Sequence, residues 1–300
     1  MRLRRLGEFE LIKRISKKIP LSHAVVKGIG DDAAVIRYTD KKYLLFTCDM
    51  LLEGKHFFRD TDSYLVGKKA LSVNVSDIAA MAGVPKFALV SIGVSPFLDV
   101  KYIDELYRGI TDVAKEFKID IVGGDTIASE KIIVDISLIG EVEKENVVFR
   151  SGARDKDAIF VTGQIGGSLR DGRHLDFTPR LKEARFLAKN FKVTSMIDIS
   201  DGLLADLGHI IELSGKGCII READLPISDS ARDIETAIRD GEDFELLFTV
   251  PNLEADRLID RWPFKTRLSR IGFITATRDL HIIKKTGKTI KVKPEGYRHF

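Results

Sequence analysis

The segment Tyr43-Leu44-Leu45-Phe46-Thr47-Cys48-Asp49 is an apolar run that ends at a carboxylate, and its composition predicts a β-strand. Residues 33–38 form a second strand-like run, and the turn-like residues 39–42 between the two runs predict a hairpin. A helical pattern follows at residues 62–82. Because strands joined by a hairpin and strands joined through a helix both occur, we expect an α+β fold rather than a purely parallel sheet.

Strand and helix patterns continue along the chain on both sides of one charged, weakly patterned stretch at residues 143–157. We place a domain boundary in this stretch and expect two α/β domains, an N-terminal one at residues 1–145 and a C-terminal one at 146–300. After residue 158, strand and helix patterns are expected to alternate to the end of the chain. Further strands are predicted at residues 87–94, 119–122, 132–141, 158–162, 196–200 and 244–250, and further helices at 9–19, 100–117, 180–190 and 203–213.

The composition excludes several classes of protein. The chain has 300 residues, of which 48 are basic and 45 acidic, and a net charge of +3 does not fit a strongly basic nucleic-acid binder. No apolar run approaches the ~18 residues of a membrane span. Glu8 and Glu10 stand where a signal peptide needs its apolar stretch, so we expect a cytoplasmic protein with no membrane partner. Two cysteines cannot cross-link a fold of this size.

Acidic residues recur beside glycines at the ends of predicted strands. Any one of these motifs is explained by an ordinary turn, but five together favour a shared site, because ligands bind at strand ends in α/β sheets. Carboxylates that converge repel one another and need a cation, and Mg²⁺ prefers such hard oxygen ligands together with phosphate. The pattern therefore indicates metal-assisted phosphoryl chemistry. The motifs are Gly30-Asp31-Asp32, Cys48-Asp49, Gly124-Asp125, Asp198-Ile199-Ser200-Asp201-Gly202 and Gly241-Glu242-Asp243.

Asp77 on the predicted helix at 62–82 supports the same interpretation. At ~100° per residue, Asp77 falls within an otherwise apolar arc of the helix. A carboxylate buried there needs a partner or a metal, although capping of a neighbouring loop is an alternative. The opposite side is expected to be a narrow polar stripe made of Lys68, Lys69, Ser72 and Ser76.

Other motifs limit how a nucleotide can bind. Gly287-Lys288-Thr289 is similar to the end of a phosphate-binding loop, but Ile282 occupies the position of its first glycine, so any ATP binds in another way. His56 follows Asp49 closely and is either a contact for an anionic substrate or an ordinary surface residue. Arg150 offers a guanidinium fork that suits phosphate, with a surface ion pair as the alternative.

These motifs together resemble the thiamine-monophosphate kinase family, which belongs to a superfamily that includes aminoimidazole ribonucleotide synthetase and selenophosphate synthetase. The resemblance extends from Gly7-Glu8-Phe9 to the terminal Gly296-Tyr297-Arg298-His299-Phe300. Besides the acidic motifs, it rests on Gly54-Lys55-His56-Phe57, Asn74-Val75-Ser76-Asp77 and Arg150-Ser151-Gly152-Ala153.

The resemblance implies ATP-dependent phosphorylation of thiamine monophosphate to thiamine diphosphate, by direct in-line transfer with several Mg²⁺ ions and no covalent nucleophile. It implies a homodimer in which N-terminal strands of two chains form a shared barrel. Metal ligands are then expected at Asp31, Thr47, Asp49, Asp77, Asp125, Asp198 and Asp201. ATP contacts are expected at Tyr107, Gly124, Asp125, Arg150 and Ser200, and substrate contacts at His56 and Glu242.

Three features depart from the family pattern. Cys48 stands where the family has a Ser or Thr that can bind metal, and a thiol is a poor Mg²⁺ ligand. Pro294 stands where the family has an aromatic residue that stacks on the substrate, and the segment 163–180 is short. Two alternatives stay open: a sibling ATP-dependent synthetase, and a non-catalytic nucleotide-binding regulator on the same scaffold.

Overall fold

A computed structural model describes residues 6–297 of the chain. The residues Arg298-His299-Phe300, which contribute to the resemblance, lie outside the described residues, as do the basic residues at the start of the chain. Two mixed sheets with flanking helices form the two halves of the described chain, which confirms the predicted α+β class. Within residues 6–297, no helix combines the length and apolar character needed to cross a bilayer.

The N-terminal half forms a six-stranded sheet in the order β1-β2-β3-β6-β4-β5. Only β4 and β5 are parallel, and a helix connects them; the other neighbours are antiparallel. The described sheet is open, so a single chain does not show the expected barrel. The strands are β1 (Val25–Lys27), β2 (Ala34–Arg37), β3 (Lys42–Leu52), β4 (Val84–Val94), β5 (Asp120–Ala128) and β6 (Ile133–Glu143).

Three helices accompany this sheet: α1 (Glu8–Ser16), α2 (Ser63–Ala80) and α3 (Val100–Phe117). Asp62 and Asp99 cap α2 and α3, because each side chain accepts a hydrogen bond from a backbone N–H of the first turn. The two helices pack closely at Gly67 and Gly109, where an added Cβ would lie 2.0 Å from a backbone oxygen of the other helix. Helix α2 lies against β3, β4 and β6, which leaves the opposite, outer face of the sheet uncovered by these helices.

The C-terminal half forms a seven-stranded sheet in the order β13-β12-β9-β11-β7-β10-β8. Its strands are β7 (Ala158–Thr162), β8 (Ser195–Asp198), β9 (Gly217–Arg221), β10 (Leu246–Val250), β11 (Leu268–Thr275), β12 (Leu280–Ile283) and β13 (Thr289–Val292). Its helices are α4 (Ser168–Asp171), α5 (Leu181–Asn190), α6 (Leu203–Ser214), α7 (Ile234–Ala237) and α8 (Asn252–Asp260). The expected alternation of helix and strand to the chain end is wrong, because three strands follow α8 in succession.

Helix α2 is largely buried, because elements of both halves pack on it: β3, β4, β6 and α3 from the N-terminal half, and α5 and β8 from the C-terminal half. Of the predicted polar stripe, Lys68 is partly exposed and the other three residues are buried. Lys69 is 0% exposed, and Ser72 and Ser76 are each 2% exposed. The position of α2 between the two sheets brings its polar residues against groups from both halves of the chain.

Candidate active site

Asp77, near the C-terminal end of α2, lies against the inner face of β3. The Thr47 hydroxyl on β3 donates a hydrogen bond to Asp77 Oδ2. Asp49, two residues further along the same strand, points to the same side because side chains alternate along a strand, and its carboxyl group also contacts Asp77. Three residues that the resemblance assigns to metal are therefore adjacent.

Asp198 at the end of β8 brings the C-terminal half into this cluster. The Ser76 hydroxyl on α2 donates a hydrogen bond to Asp198 Oδ2 at 2.5 Å. Carboxylate oxygens of Asp32, Asp77 and Asp198 all lie within 4.8 Å of one another. Three acidic residues from a loop, a helix and a strand thus converge at the junction of the two halves.

Asp31 and Asp32 make different contacts, which the sequence motif alone does not reveal. Asp32 is 6% exposed and joins the carboxylate cluster, whereas Asp31 accepts a hydrogen bond from the backbone N–H of Arg150 at 3.0 Å and pairs with Lys27 at 3.4 Å. The Arg150 side chain donates to Asp32 Oδ1 from Nε at 3.2 Å and from Nη2 at 2.8 Å. Asp32 is therefore the better placed of the two to hold a metal.

The cluster carries more negative charge than its protein partners neutralise. Burial first, and then Asp49, Asp198 and Asp32, raise the pKa of Asp77 well above its ordinary value. Burial and the neighbouring Asp32 raise the pKa of Asp198 to about 7. Asp32 Oδ2 is buried and has no hydrogen-bond partner among the described residues. Hard carboxylate oxygens, mutual repulsion and an unpartnered buried oxygen together fit a divalent cation such as Mg²⁺.

The loop after β8 is held in shape by Asp206 on α6. Asp206 Oδ2 accepts hydrogen bonds from the backbone N–H groups of Ser200, Asp201 and Gly202, each at 3.1 Å. This anchor fixes Ser200 and Asp201 at the edge of the cluster. Both residues belong to the predicted site, and both line the cavity described next.

A cavity of about 490 Å³ opens beside the carboxylates. Four carboxylates line it: Asp49, Asp77, Asp198 and Asp201. Its other walls include His56, Lys55, Glu242, Leu169, Phe244 and Tyr297. The cavity thus offers carboxylates that suit a metal with phosphate groups, and apolar and aromatic side chains that suit an organic group.

His56 and Glu242, the two expected substrate contacts, both line this cavity although they come from different halves of the chain. His56 Nδ1 accepts a hydrogen bond from the backbone N–H of Leu52 at 3.0 Å, so the neutral ring carries its proton on Nε2. Lys69 joins the two residues: its Nζ donates to Glu242 Oε1 at 2.7 Å and to the His56 carbonyl at 3.1 Å.

Four of the five expected ATP contacts do not line this cavity: Arg150 contacts the carboxylate cluster through Asp32, and the other three lie further away. Gly124 and the exposed Asp125 lie on β5 at the edge of the N-terminal sheet, and Asp125 is level with Ser91 on β4. Strand order places β5 three strands from β3, or roughly 14 Å at ~4.8 Å per strand. Tyr107 lies on α3 and packs against the N-terminal core. None of the three is among the described residues that line the cavity.

Two of the three departures from the family pattern, Cys48 and Pro294, are not among the described residues that line the cavity. Cys48 points to the outer face of the sheet, where its Sγ lies 3.3 Å from Asp135 Oδ1. Pro294 packs on α6, and a Cβ added at Gly208 would lie 2.3 Å from the Pro294 side chain. An aromatic cavity residue close to Pro294 in sequence is Tyr297, whose backbone N–H donates to the Asp201 carbonyl at 2.9 Å.

The sequence indicates Asp32 only as part of the motif Gly30-Asp31-Asp32 and Lys69 only as part of a polar stripe, whereas the structure places Asp32 in the carboxylate cluster and Lys69 between His56 and Glu242. The signal for Asp32 was its place in the Asp-Asp pair, where sequence alone does not say which carboxylate points inward. Lys69 gave no signal, because a lysine on a helix is usually exposed.

This two-domain architecture is that of the AIR synthase related proteins. The N-terminal domain of that family matches residues 30–142, and its C-terminal domain matches residues 158–285.

The chain belongs, more narrowly, to the thiamine-monophosphate kinase family. It is 36% identical to the thiamine-monophosphate kinase of Aquifex aeolicus (strain VF5), with 100% of both chains covered. It is 35% identical to that of Bacillus subtilis (strain 168), covering 98% of this chain and 100% of the relative. A solved structure of AaThiL complexed with AMPPCP and TMP superposes with a TM-score of 0.87 at 36% identity, over 100% of this chain and 99% of that one.

Proposed function

We propose that this protein transfers the terminal phosphoryl group of ATP to thiamine monophosphate and forms thiamine diphosphate. The observation that carries the proposal is the convergence of Asp32, Asp77 and Asp198, two of which line a cavity that also has apolar walls. The full-length relatives named as thiamine-monophosphate kinases, and the related structure with an ATP analogue and TMP, support the same substrates.

Asp32, Asp77 and Asp198 would hold Mg²⁺, with Asp49 and Asp201 beside them. Bound Mg²⁺ would neutralise phosphate charge that develops during phosphoryl transfer. The acceptor phosphate is already an anion, so the site needs positioning more than a general base. The Nε2–H of His56 is suited to donate to a phosphate oxygen, and the fixed loop at Ser200 offers polar groups at the edge of the cluster.

We further propose that two chains associate through the outer face of the N-terminal sheet. That face exposes large apolar side chains, which in a soluble assembly favour burial against a partner. Asp125 lies on the same sheet far from the carboxylate cluster, so a second chain offers a route for it to take part in the reaction. The exposed apolar residues on this sheet include Phe46, Met50, Phe87, Leu89, Val122 and Ile127.

Sedimentation velocity tests the dimer. Wild type is expected to sediment as a dimer, and Leu89→Arg as a monomer, because the new charge would be buried at the interface. A matched change outside this sheet, Leu253→Arg on the exposed side of α8, should leave the dimer intact. A monomeric wild type at micromolar concentration would contradict the association.

Product analysis tests the reaction itself. The purified protein, given ATP, Mg²⁺ and thiamine monophosphate, should form ADP and thiamine diphosphate in equal amounts. The same assay with an aminoimidazole precursor or with selenide should give no product, whereas turnover with either would establish a sibling synthetase. ATP binding without turnover of any of these substrates would favour a regulator. Cytoplasmic localisation stays a prediction.

A further inference from the structure

Lys69 is a fully buried lysine whose partners are both walls of the cavity. Its side chain is 0% exposed, and a buried ammonium is stable only with polar partners around it. The Nζ donates to Glu242 Oε1 at 2.7 Å and to the His56 carbonyl oxygen at 3.1 Å. Since His56 belongs to the N-terminal half and Glu242 to the C-terminal half, one ammonium fixes the two halves against each other at the cavity wall.

Glu242 has an uncommon backbone conformation, and one of its two carboxylate oxygens has no hydrogen-bond partner among the described residues. Its φ is 62°, in the left-handed region that residues with a side chain rarely adopt. Its backbone N–H donates to the Ser200 carbonyl at 2.8 Å, which ties it to the loop beside the carboxylates. Lys69 occupies Oε1, while Oε2 is buried without a hydrogen-bond partner among the described residues. An oriented acceptor at a cavity wall, with no protein donor, is suited to a ligand donor.

The charge balance distinguishes Glu242 from the carboxylate cluster. Lys69 neutralises Glu242, so this ion pair carries no net charge toward a ligand, in contrast to the unneutralised carboxylates of the cluster. Recognition by Glu242 then depends on hydrogen-bond geometry, which requires the carboxylate to be fixed before the ligand arrives.

We propose that Lys69 is a positioning residue for substrate binding, which orients Glu242 so that Oε2 accepts a hydrogen bond from an N–H donor on the heteroaromatic part of the substrate. This inference rests on the proposed function and specifies how the same site holds the organic end of thiamine monophosphate. Lys69 itself does not touch the substrate: its Nζ donates to Glu242 Oε1 and to the His56 carbonyl oxygen, and neither partner belongs to the cluster of Asp32, Asp77 and Asp198.

Steady-state kinetics of Lys69→Met separate positioning from a merely structural ion pair. We expect KM for thiamine monophosphate to rise about tenfold or more, the loss of one hydrogen bond to a charged group. We expect kcat within about threefold and KM for ATP unchanged, since neither partner of Lys69 belongs to the cluster of Asp32, Asp77 and Asp198. Lys68→Met is the matched control: Lys68 is the preceding residue on α2 and pairs with Asp176 near the surface, so this variant should keep all three constants.

A second variant keeps the test valid if Lys69→Met does not fold, because that substitution leaves a buried carboxylate unpaired. Lys69→Gln keeps a neutral donor at this position, and it should also raise KM for thiamine monophosphate selectively, since the shorter amide cannot hold both partners. In a folded variant, an unchanged KM for thiamine monophosphate, or an equal loss for both substrates, would overturn the inference. If neither variant folds, as judged by thermal melting, the Lys69–Glu242 ion pair is structural, and this result would also overturn the inference.

One further comparison separates this inference from the proposed function. In Lys69→Met combined with Glu242→Gln, KM for thiamine monophosphate should equal that of Glu242→Gln alone, because the effect of Lys69 on the substrate is assigned to its bond with Glu242 rather than to its bond with the His56 carbonyl. Additive losses would contradict that dependence. Wild type that fails to turn over thiamine monophosphate would refute the proposed function and this inference together, whereas active wild type with unaffected Lys69 variants would refute this inference alone.

Discussion

Replacing Asp198 with Asn should stabilise the metal-free protein, and the gain should grow as pH rises. Asp198 is 2% exposed, and burial and Asp32 raise its pKa from 3.8 to about 7. Because the folded pKa lies above the unfolded one, the folded state binds this proton more tightly than the unfolded chain. The stability from the protonated group is therefore present at low pH and is lost as pH rises toward 7.

The size of the effect follows from the two pKa values. Between pH 5 and pH 8, this proton linkage lowers the free energy of unfolding of wild type by about 2.5 kcal/mol. Asp198→Asn has no such proton and should not show this decrease. At ~2.1 cal/mol/K per residue for a chain of 300 residues, this corresponds to about 4 °C in Tm. The Asn side-chain oxygen can still accept the hydrogen bond from the Ser76 hydroxyl, so that contact is kept.

Calorimetric melts in EDTA at both pH values measure this difference directly. The control is Asp104→Asn, since Asp104 is an exposed carboxylate on α3 outside the cluster. Addition of Mg²⁺ and ATP at ~100 times Kd should then stabilise wild type by about 2.7 kcal/mol, and Asp198→Asn by much less. Parallel pH profiles for wild type and Asp198→Asn would refute the account of a repulsive carboxylate cluster.

The remaining predictions concern single residues around the cluster. Arg150→Met should lower the free energy of unfolding in urea by about 3–5 kcal/mol, because it leaves the buried Asp32 carboxylate without its ion pair; a loss below ~1 kcal/mol would argue against that pairing. His56→Ala should weaken thiamine monophosphate binding about tenfold in calorimetry, from the loss of a phosphate donor, and an unchanged affinity would remove His56 from the substrate site. Asp49→Asn should reduce turnover about 100-fold or more with little change in Tm, and full activity in excess Mg²⁺ would exclude Asp49 from the metal site.

Local periodicity explains why most strands and helices were predicted from sequence. The strand at Ala158–Thr162 and the helix at Val100–Phe117 have the predicted bounds, since each has a clear apolar pattern and a clear end signal. The strand order β3-β6-β4 was not predictable in the same way, because it depends on contacts between residues far apart in sequence. The succession of three final strands differs from the expected alternation with helices, although β12 and β13 pair as a local hairpin.

The site was predictable as a set of acidic motifs, but not as a geometry. Asp49, Asp77 and Asp198 come together as their residue types suggested, since carboxylates at strand ends and on an apolar helix arc need a common partner. The choice of Asp32 over Asp31 depends on how one loop turns between β1 and β2. The burial of Lys69 depends on the C-terminal half packing over α2, which no local pattern reveals. Asp125 lies apart from the carboxylate cluster because its strand, β5, is three strands from β3 in the sheet of one chain.

The central claim is that carboxylates at the junction of the two halves hold the Mg²⁺ needed for phosphoryl transfer from ATP to thiamine monophosphate. The most direct measurement is thiamine diphosphate formation by wild type and by Asp77→Asn at saturating Mg²⁺, with the fold of each checked by thermal melting. The account predicts product from wild type only in the presence of Mg²⁺, and a loss of about 100-fold or more in a fully folded Asp77→Asn. Wild-type turnover in folded Asp77→Asn, or product formation by wild type in EDTA, would contradict it.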